Sequence, residues 1–544
     1  MDNDVDVVVL GTGVAGLVAA LAAHDSGARV ALIEKGPTVG GTTALSAGVA
    51  WLPANPKQAD VGVTDTVETG VEYLMSLSHG LIDEQLARTF CETTSDLVGW
   101  LEAKTPLRLR VVEGYPDYHP ENPGGQAHGT RSLEPELFSF ERLGDWADRV
   151  TPSEWDIGRM LAAEMPLGGG TGVLDPAVAD ERVRHNIHAL GQALVGALLR
   201  GCLDRGIEPR TSTRALKLLV EGGRVRGVQV ETDGETDELS ATRGVILATG
   251  GFEFDPGFVS AFLRGPMTAP AGVSENTGDG LRMAMRLGAQ LGTMREAWWI
   301  PCVEITGEQH YGHQRVCLIL RERTVPGTLM VNRQARRFTN EAADYNSLGA
   351  AFHAFDPTTF EYQNLPCWLI LDHQCFQRYG FPIAGVMPGD TAPDWMTVRD
   401  SIAELARAIG IPPAEMETTV ARFNDNAQTG CDPDFGRGDS AYDGFNGDQT
   451  LPGVQATLGP LTAAPFYAVQ VHSGTLGTKG GPRTDVDARV LDVDGKIIDG
   501  LYAAGNVGAA WTGMVYGGAG GTIGPAMVTG YRAGCHAARP PERG

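Results

Sequence analysis

The stretch "DVDVVVLGTGVAGLVAALAAHDSGARVALIEKG", Asp4 to Gly36, leaves little choice of fold. A valine-rich run meets Gly11-Thr12-Gly13-Val14-Ala15-Gly16, an alanine- and leucine-rich helical segment follows, and "RVALIEKG" supplies a second strand. That order is one βαβ unit. A G-x-G-x-x-G at the strand-to-helix junction lets the backbone approach a pyrophosphate, which the amides opening the helix then hold. Glu34 stands 18 residues after Gly16, at the end of the second strand, where an acid accepts hydrogen bonds from an adenosine ribose. The expected fold class is α/β on a Rossmann-type nucleotide-binding domain. The 17 apolar or small residues from Val7 to Ala23 follow Asp2, Asp4 and Asp6, are broken by glycines, and are too few to cross a bilayer. They are read as neither signal nor membrane segment.

At 544 residues the chain exceeds one ordinary core, so two domains, or one domain with an insertion, are expected. Between Arg184 and Gly206, Ile187, Leu190, Leu194 and Leu198 recur at helical spacing, and "ALKLLVEGGRVRGVQVET" reads as a hairpin turning on Gly222 and Gly223. "GVILATGG" closes that region as a short buried strand. From about Leu291 to Leu461 aromatics, histidines and prolines rise, and "PPAEMETTVARFNDNA" predicts a helix. We read residues 1–290 as the first part of the nucleotide-binding domain, 291–461 as an inserted catalytic domain, and 462–544, beginning near "PFYAVQV", as the part that rejoins the first. The run "LGGGTG" at 167–172 follows no strand and opens no helix, so it reads as a loop.

Composition excludes several partners. The net charge of −24, with no basic block, would repel nucleic acid and anionic membrane surfaces. The 8 cysteines show no C-x-x-C spacing and read as reduced thiols, so the expected compartment is the cytoplasm. The 12 histidines show no metal-ligand spacing, and no metal is expected. The 72 glycines suit a chain that brings its backbone close to a nucleotide.

Three further segments narrow the nucleotide. "GGTTALSAGVAWLPAN", from Gly40, places glycines and small hydroxyl residues where more phosphate and a flavin ring would lie, and a nicotinamide has no need of them. "ILATGG" at 246–251 and "LYAAGN" at 501–506 each end a strand in glycine beside a bound cofactor. With these segments the chain resembles the fumarate reductase and succinate dehydrogenase flavoprotein superfamily over nearly its whole length. The resemblance implies a glutathione-reductase-like FAD-binding domain with an α+β catalytic insertion. Carried over by position, it implies FAD contacts at Gly11, Gly13, Gly16, Glu34, Lys35, Gly41, Thr42, Thr43, Ser46, Gly48, Gly250, Asp279, Gly505, Asn506 and Ile523. Respiratory members attach flavin through an early histidine. Gly40 to Gly48 contains none, so noncovalent FAD is expected.

Carboxylate-reducing members use an "HHTMGG"-like segment and arginines that clamp two carboxylates. Here "VHSGTLGTKGGPRTD" begins at Val471; His472 falls outside the matching positions, and Gly474 and Thr475 stand where the second histidine and its threonine would be. The segment from Ser473, "VNRQARRFTNEAADY", "FNDNAQTGCDPDFGRGDSAYD" and "MVYGGAGGTIGPAM" are instead similar to the 3-ketosteroid dehydrogenase branch, notably the Δ1 type. The reaction this implies removes two hydrogens from adjacent carbons beside a ketone. A hydride leaves for flavin N5, a base takes the proton next to the carbonyl, and donors must stabilise the enolate oxygen. Tyr516, with the Gly520 amide four residues on, is expected to polarise the ketone. The family position of the base falls on Tyr345 and that of its assistant on Tyr118, with Tyr115 three residues away as the alternative. A lone buried phenol is a poor base at neutral pH and needs such a partner.

A 3-ketosteroid is the substrate these motifs favour. Cyclohexanone, 4-oxocyclohexanecarboxylate, Δ4-type steroid dehydrogenation and fumarate-like alkene reduction stay open, as does a noncatalytic flavin scaffold. The electron acceptor is left as a quinone, a carrier protein or oxygen. Trp298 and Trp299 read at least as readily as core packing as pocket wall, and Asp117 as a turn residue.

Overall fold

Two sheets organise the chain, and the computed structural model describes residues 4–154, 159–170 and 172–540. The first sheet opens as the sequence predicts: β1 (Asp4–Leu10), helix α1 (Val14–Asp25) and β2 (Val30–Ile33), with β2 parallel to β1. Strand Glu235–Leu247 lies parallel on the other side of β1, and Ile497–Ala503 lies parallel beyond it. The C-terminal part of the chain therefore rejoins the first sheet. The predicted hairpin forms with Glu221 opposite Arg224. Helix Ile523–Ala537 packs against α1, where the absent side chains at Gly530 and Gly534 admit the Ala15 and Ala19 carbonyls. No helix among the described residues is long and apolar enough to cross a membrane.

The second sheet is mainly antiparallel, in the order His313–Leu318, Ala297–His310, Phe466–Thr478, Cys367–Leu371, Thr328–Asn332. Its central strand, Phe466–Thr478, contains the "FYAVQV" that the sequence reading assigned to the returning segment, and Ala269–Pro270 pairs with the same strand. Both lie outside 291–461. The residues pairing in this sheet thus run from before Leu291 to Thr478, because strand pairing rather than composition sets its edges. "PPAEMETTVARFNDNA" lies in helix Pro413–Thr429.

Two local expectations change. The helix predicted from Ile187 begins at Leu190; Asn186 takes φ +45°, and Ile187–His188 pairs as a strand with Phe138–Ser139. "GVILATGG" ends a 13-residue strand whose first half is exposed, so its pattern was visible only near Leu247. Thr171 of the "LGGGTG" run lies outside the described residues; Gly172 borders the cavity described below.

Candidate active site

A cavity of about 1140 Å³ runs from the mouth of the βαβ unit to the second sheet. At its nucleotide end, Gly11 takes φ +106°, and a Cβ there would meet the Ala248 carbonyl at 2.2 Å. α1 begins at the cavity with no bond from its N-cap residue; the Val14 amide donates to Thr43 Oγ1 at 3.0 Å, and the amides that follow it in the first turn remain open to an anion. Glu34 Oε2 accepts from the Thr12 amide at 2.9 Å and hydroxyl at 2.5 Å, and Oε1 accepts from the Gly36 amide at 2.8 Å. Burial raises its carboxyl above the usual range, and these donors oppose the shift. Lys35 donates to the Glu275 carbonyl and Thr277, and pairs with Asp279 at 3.2 Å.

Gly13, Gly41, Thr42, Thr43, Ser46, Gly48, Gly250, Gly505, Asn506 and Ile523 also border the cavity. Gly16, expected beside them, does not. A Cβ on it would sit 1.9 Å from the Gly11 carbonyl, so this glycine seats α1 against the preceding turn.

Four phenols meet at the other end. Tyr118 stacks 5.2 Å from Tyr516, Tyr345 stands edge-on 5.3 Å from Tyr118 and 5.4 Å from Tyr516, and Tyr442 lies 4.9 Å from Tyr118. Tyr345 opens helix Tyr345–Phe352, which Asp344 caps by accepting from the amides of Asn346 and Ser347. Tyr115 borders the same cavity, packs on Phe445 and hydrogen-bonds Tyr118 and Tyr442, whereas Tyr118 is the phenol whose ring meets both Tyr345 and Tyr516.

Burial pushes Tyr345 well above the ordinary phenol range and the nearby Tyr516 adds to this, while a hydrogen bond from Tyr118 opposes it. Tyr516 is raised by burial, with Thr522 and Tyr345 lowering it through hydrogen bonds. The partner expected for Tyr345 is thus present, but desolvation outweighs it. Arg323, fully buried beside Tyr442 and Tyr118, donates to the carbonyls of Ile319, Glu341 and Ala343.

The glycine loop after Tyr516 is fixed from below. Trp51 N–H donates to the Gly520 carbonyl at 3.0 Å and the Ser132 hydroxyl to the Ala519 carbonyl at 2.9 Å. Gly520 takes φ +94° and borders the cavity, and its amide has no acceptor among the described residues. Tyr516 accepts from the Thr522 hydroxyl at 3.0 Å. Tyr516 and Gly520, the latter with a free amide, therefore border the cavity within one short loop. Lys479 braces the preceding turn: Nζ donates to the Gly513 and Val515 carbonyls at 3.2 and 2.8 Å and lies 4.0 Å from the Trp298 ring centroid.

Trp298 packs edge-on against Tyr516 at 5.0 Å and donates to Asn506, while Trp299 packs in the core. Asp117 is no turn ornament. It is buried, accepts from Trp51 Nε1 and Arg131 Nη1, both at 2.7 Å, and burial raises its carboxyl to about 6 against the pull of Arg131. Sequence reasoning passed over Tyr442, Thr522, Arg323 and Lys479. Tyr442, Thr522 and Lys479 stand inside quoted motifs, and an aromatic, a hydroxyl or a cation among glycines was the available signal.

A family model described as an FAD binding domain matches residues 6–523. The chain belongs to that family. A 4-oxocyclohexanecarboxylate 2-dehydrogenase from Sinomonas cyclohexanicum is 38% identical over 97% of this chain and 92% of its own. A 3-oxosteroid 1-dehydrogenase from Mycobacterium tuberculosis is 37% identical over 98% of each chain. The crystal structure of a 3-ketosteroid Δ1-dehydrogenase from Sterolibacterium denitrificans, in complex with 1,4-androstadiene-3,17-dione, superposes with a TM-score of 0.89 at 32% identity, covering 98% of this chain and 99% of that one. This FAD-binding family member is a flavin-dependent oxidoreductase. The open amides in the first turn of α1, the glycine cradle and the volume of the cavity fit FAD, which Gly11, Gly13, Thr42, Thr43 and Gly505 would hold.

Proposed function

We propose that this enzyme desaturates a cyclic ketone next to its carbonyl, and that the ketone is a 3-ketosteroid oxidised at its Δ1 position. The observation that carries the reading is the pair of donors, Tyr516 O–H and the free Gly520 N–H, on the wall that also holds Tyr345. Both donors would grip the ketone oxygen and stabilise enolate charge as it forms. Tyr345, as a phenolate stabilised by a hydrogen bond from Tyr118, would take the proton from the carbon beside the carbonyl and become the neutral phenol. FAD, when bound, supplies the acceptor for the hydride from the adjacent carbon. The ketone end is walled by Val112, Ile300, Val316, Leu318, Leu320 and Ile383, which suits a large apolar ring system.

One observation favours a smaller, charged substrate. Arg321 borders the same cavity, 5.4 Å over the Tyr379 ring, with no ion-pair partner among the described residues. A carboxylate on the substrate could meet it. Anaerobic titration of the purified enzyme with androstenedione, cyclohexanone and 4-oxocyclohexanecarboxylate, followed by flavin absorbance, separates the readings. Bleaching by the steroid is expected. Bleaching by the carboxylate alone, abolished in Arg321→Gln, would transfer the assignment to the small acid, and no bleaching by any ketone would end it.

A further inference from the structure

Tyr73 reaches neither the cavity nor any residue expected to touch cofactor or substrate through its side chain, yet it stands at the crossing of the two segments that carry Tyr118 and Tyr516. It projects from helix Val67–Ser76 and is 0% exposed. Its hydroxyl donates to the Gly517 carbonyl at 2.7 Å and accepts from the His119 amide at 3.1 Å. The same Gly517 carbonyl accepts from the Tyr118 amide at 3.1 Å. One phenolic oxygen thus ties the peptide following Tyr118 to the Gly517–Gly518 peptide, one residue beyond Tyr516. Serine or threonine has the same donor and acceptor but not the reach from this helix, and phenylalanine has the reach but neither bond. Around the knot, the Arg131 guanidinium lies 5.4 Å from the Tyr73 ring centroid and Trp51 lies 6.0 Å away, so the ring cannot readily turn.

We infer that Tyr73 is a positioning residue for the desaturation: through the Gly517 peptide it sets the spacing of Tyr118 and Tyr516, on which a concerted grip of proton and ketone oxygen depends. The inference rests on the proposed roles of those two tyrosines. Catalytic geometry is sensitive on this scale, since displacing a reacting group by about 1 Å can cost on the order of 100-fold in rate.

The test is a double-mutant cycle on anaerobic flavin reduction, using Tyr73→Phe, Tyr118→Phe, Tyr516→Phe and the two pairwise combinations with Tyr73→Phe. Tyr73→Phe keeps the ring and its packing, so flavin content and thermal midpoint should stay close to wild type. The limiting reduction rate should fall roughly 10- to 100-fold with KM little changed. In either the Tyr118→Phe or the Tyr516→Phe background, the further loss from Tyr73→Phe should shrink to under about threefold, because the group it positions is already gone. A wild-type rate in Tyr73→Phe, an undiminished loss in both backgrounds, or a protein that cannot hold flavin would overturn the inference. Wild-type rates in Tyr118→Phe and Tyr516→Phe would instead remove the roles on which it rests, and that outcome is read separately.

Discussion

The Thr522 hydroxyl donates to the Tyr516 oxygen across 3.0 Å. Since that oxygen already accepts, its own proton is left to be donated, and the cavity lies before it. Tyr516→Phe should therefore lower the rate of anaerobic flavin reduction by about 100- to 1000-fold, the usual cost of one oxyanion donor. Thr522→Val should lower it by a smaller factor, because it leaves the donor but removes the bond that aims it. Stopped-flow reduction at saturating ketone measures both, and a larger loss in Thr522→Val than in Tyr516→Phe would contradict this assignment.

Tyr345 sets the dependence on pH. Burial and the neighbouring Tyr516 hold it well above the ordinary phenol range, so at neutral pH only a small fraction is ionised. If the ionised form is the base, the reduction rate should climb about tenfold per pH unit from neutral into the alkaline range. Tyr118→Phe removes the hydrogen bond that lowers Tyr345, and the whole curve should move to higher pH. A flat profile in the wild-type enzyme would rule out Tyr345 as the base.

Gly40 to Gly48 contains no histidine, cysteine or tyrosine that could attach a flavin. Acid precipitation should release the yellow chromophore entirely into the supernatant. Absorbance near 450 nm left in the pellet would show a covalent link through another residue.

The N-terminal βαβ unit was legible because its signals are local: glycine spacing, apolar runs and one acid. The strand Phe466–Thr478 was grouped with the returning segment although it pairs in the second sheet, because alternation of apolar residues states that a strand exists, not which neighbours it pairs with. The clustering of Tyr118, Tyr345 and Tyr516 came from matched family positions, and the three stand in separate segments of the chain. What supports those motifs was invisible for another reason. Tyr73 and Gly517 are 444 residues apart, and Asp117 finds Arg131 and Trp51 only once separate segments of the chain have closed on one another. A buried ion pair and a surface turn write the same letters in a sequence.

Lys479 offers a test of that support that does not depend on catalysis. It is fully buried with two carbonyls and an aromatic face for company. Burial lowers its ammonium to about 7; Glu296 pulls it back up, Arg264 pushes it down further and Asp344 also raises it. In the unfolded chain the same group titrates near its ordinary value of 10.5. Between those two values the unfolded state binds more protons than the folded one, so the contribution of Lys479 to stability increases as pH rises from about 7. Lys479→Met removes this titration and leaves the Gly513 and Val515 carbonyls without their donor. Every other titrating group is common to both proteins, so the difference between their thermal midpoints isolates the lysine. That difference, wild type minus variant, should widen steadily from about pH 7 to about pH 9. A gap that stays constant would mean the ammonium keeps its proton in the fold and that Trp298 and the Tyr516 loop rest on a permanent cation.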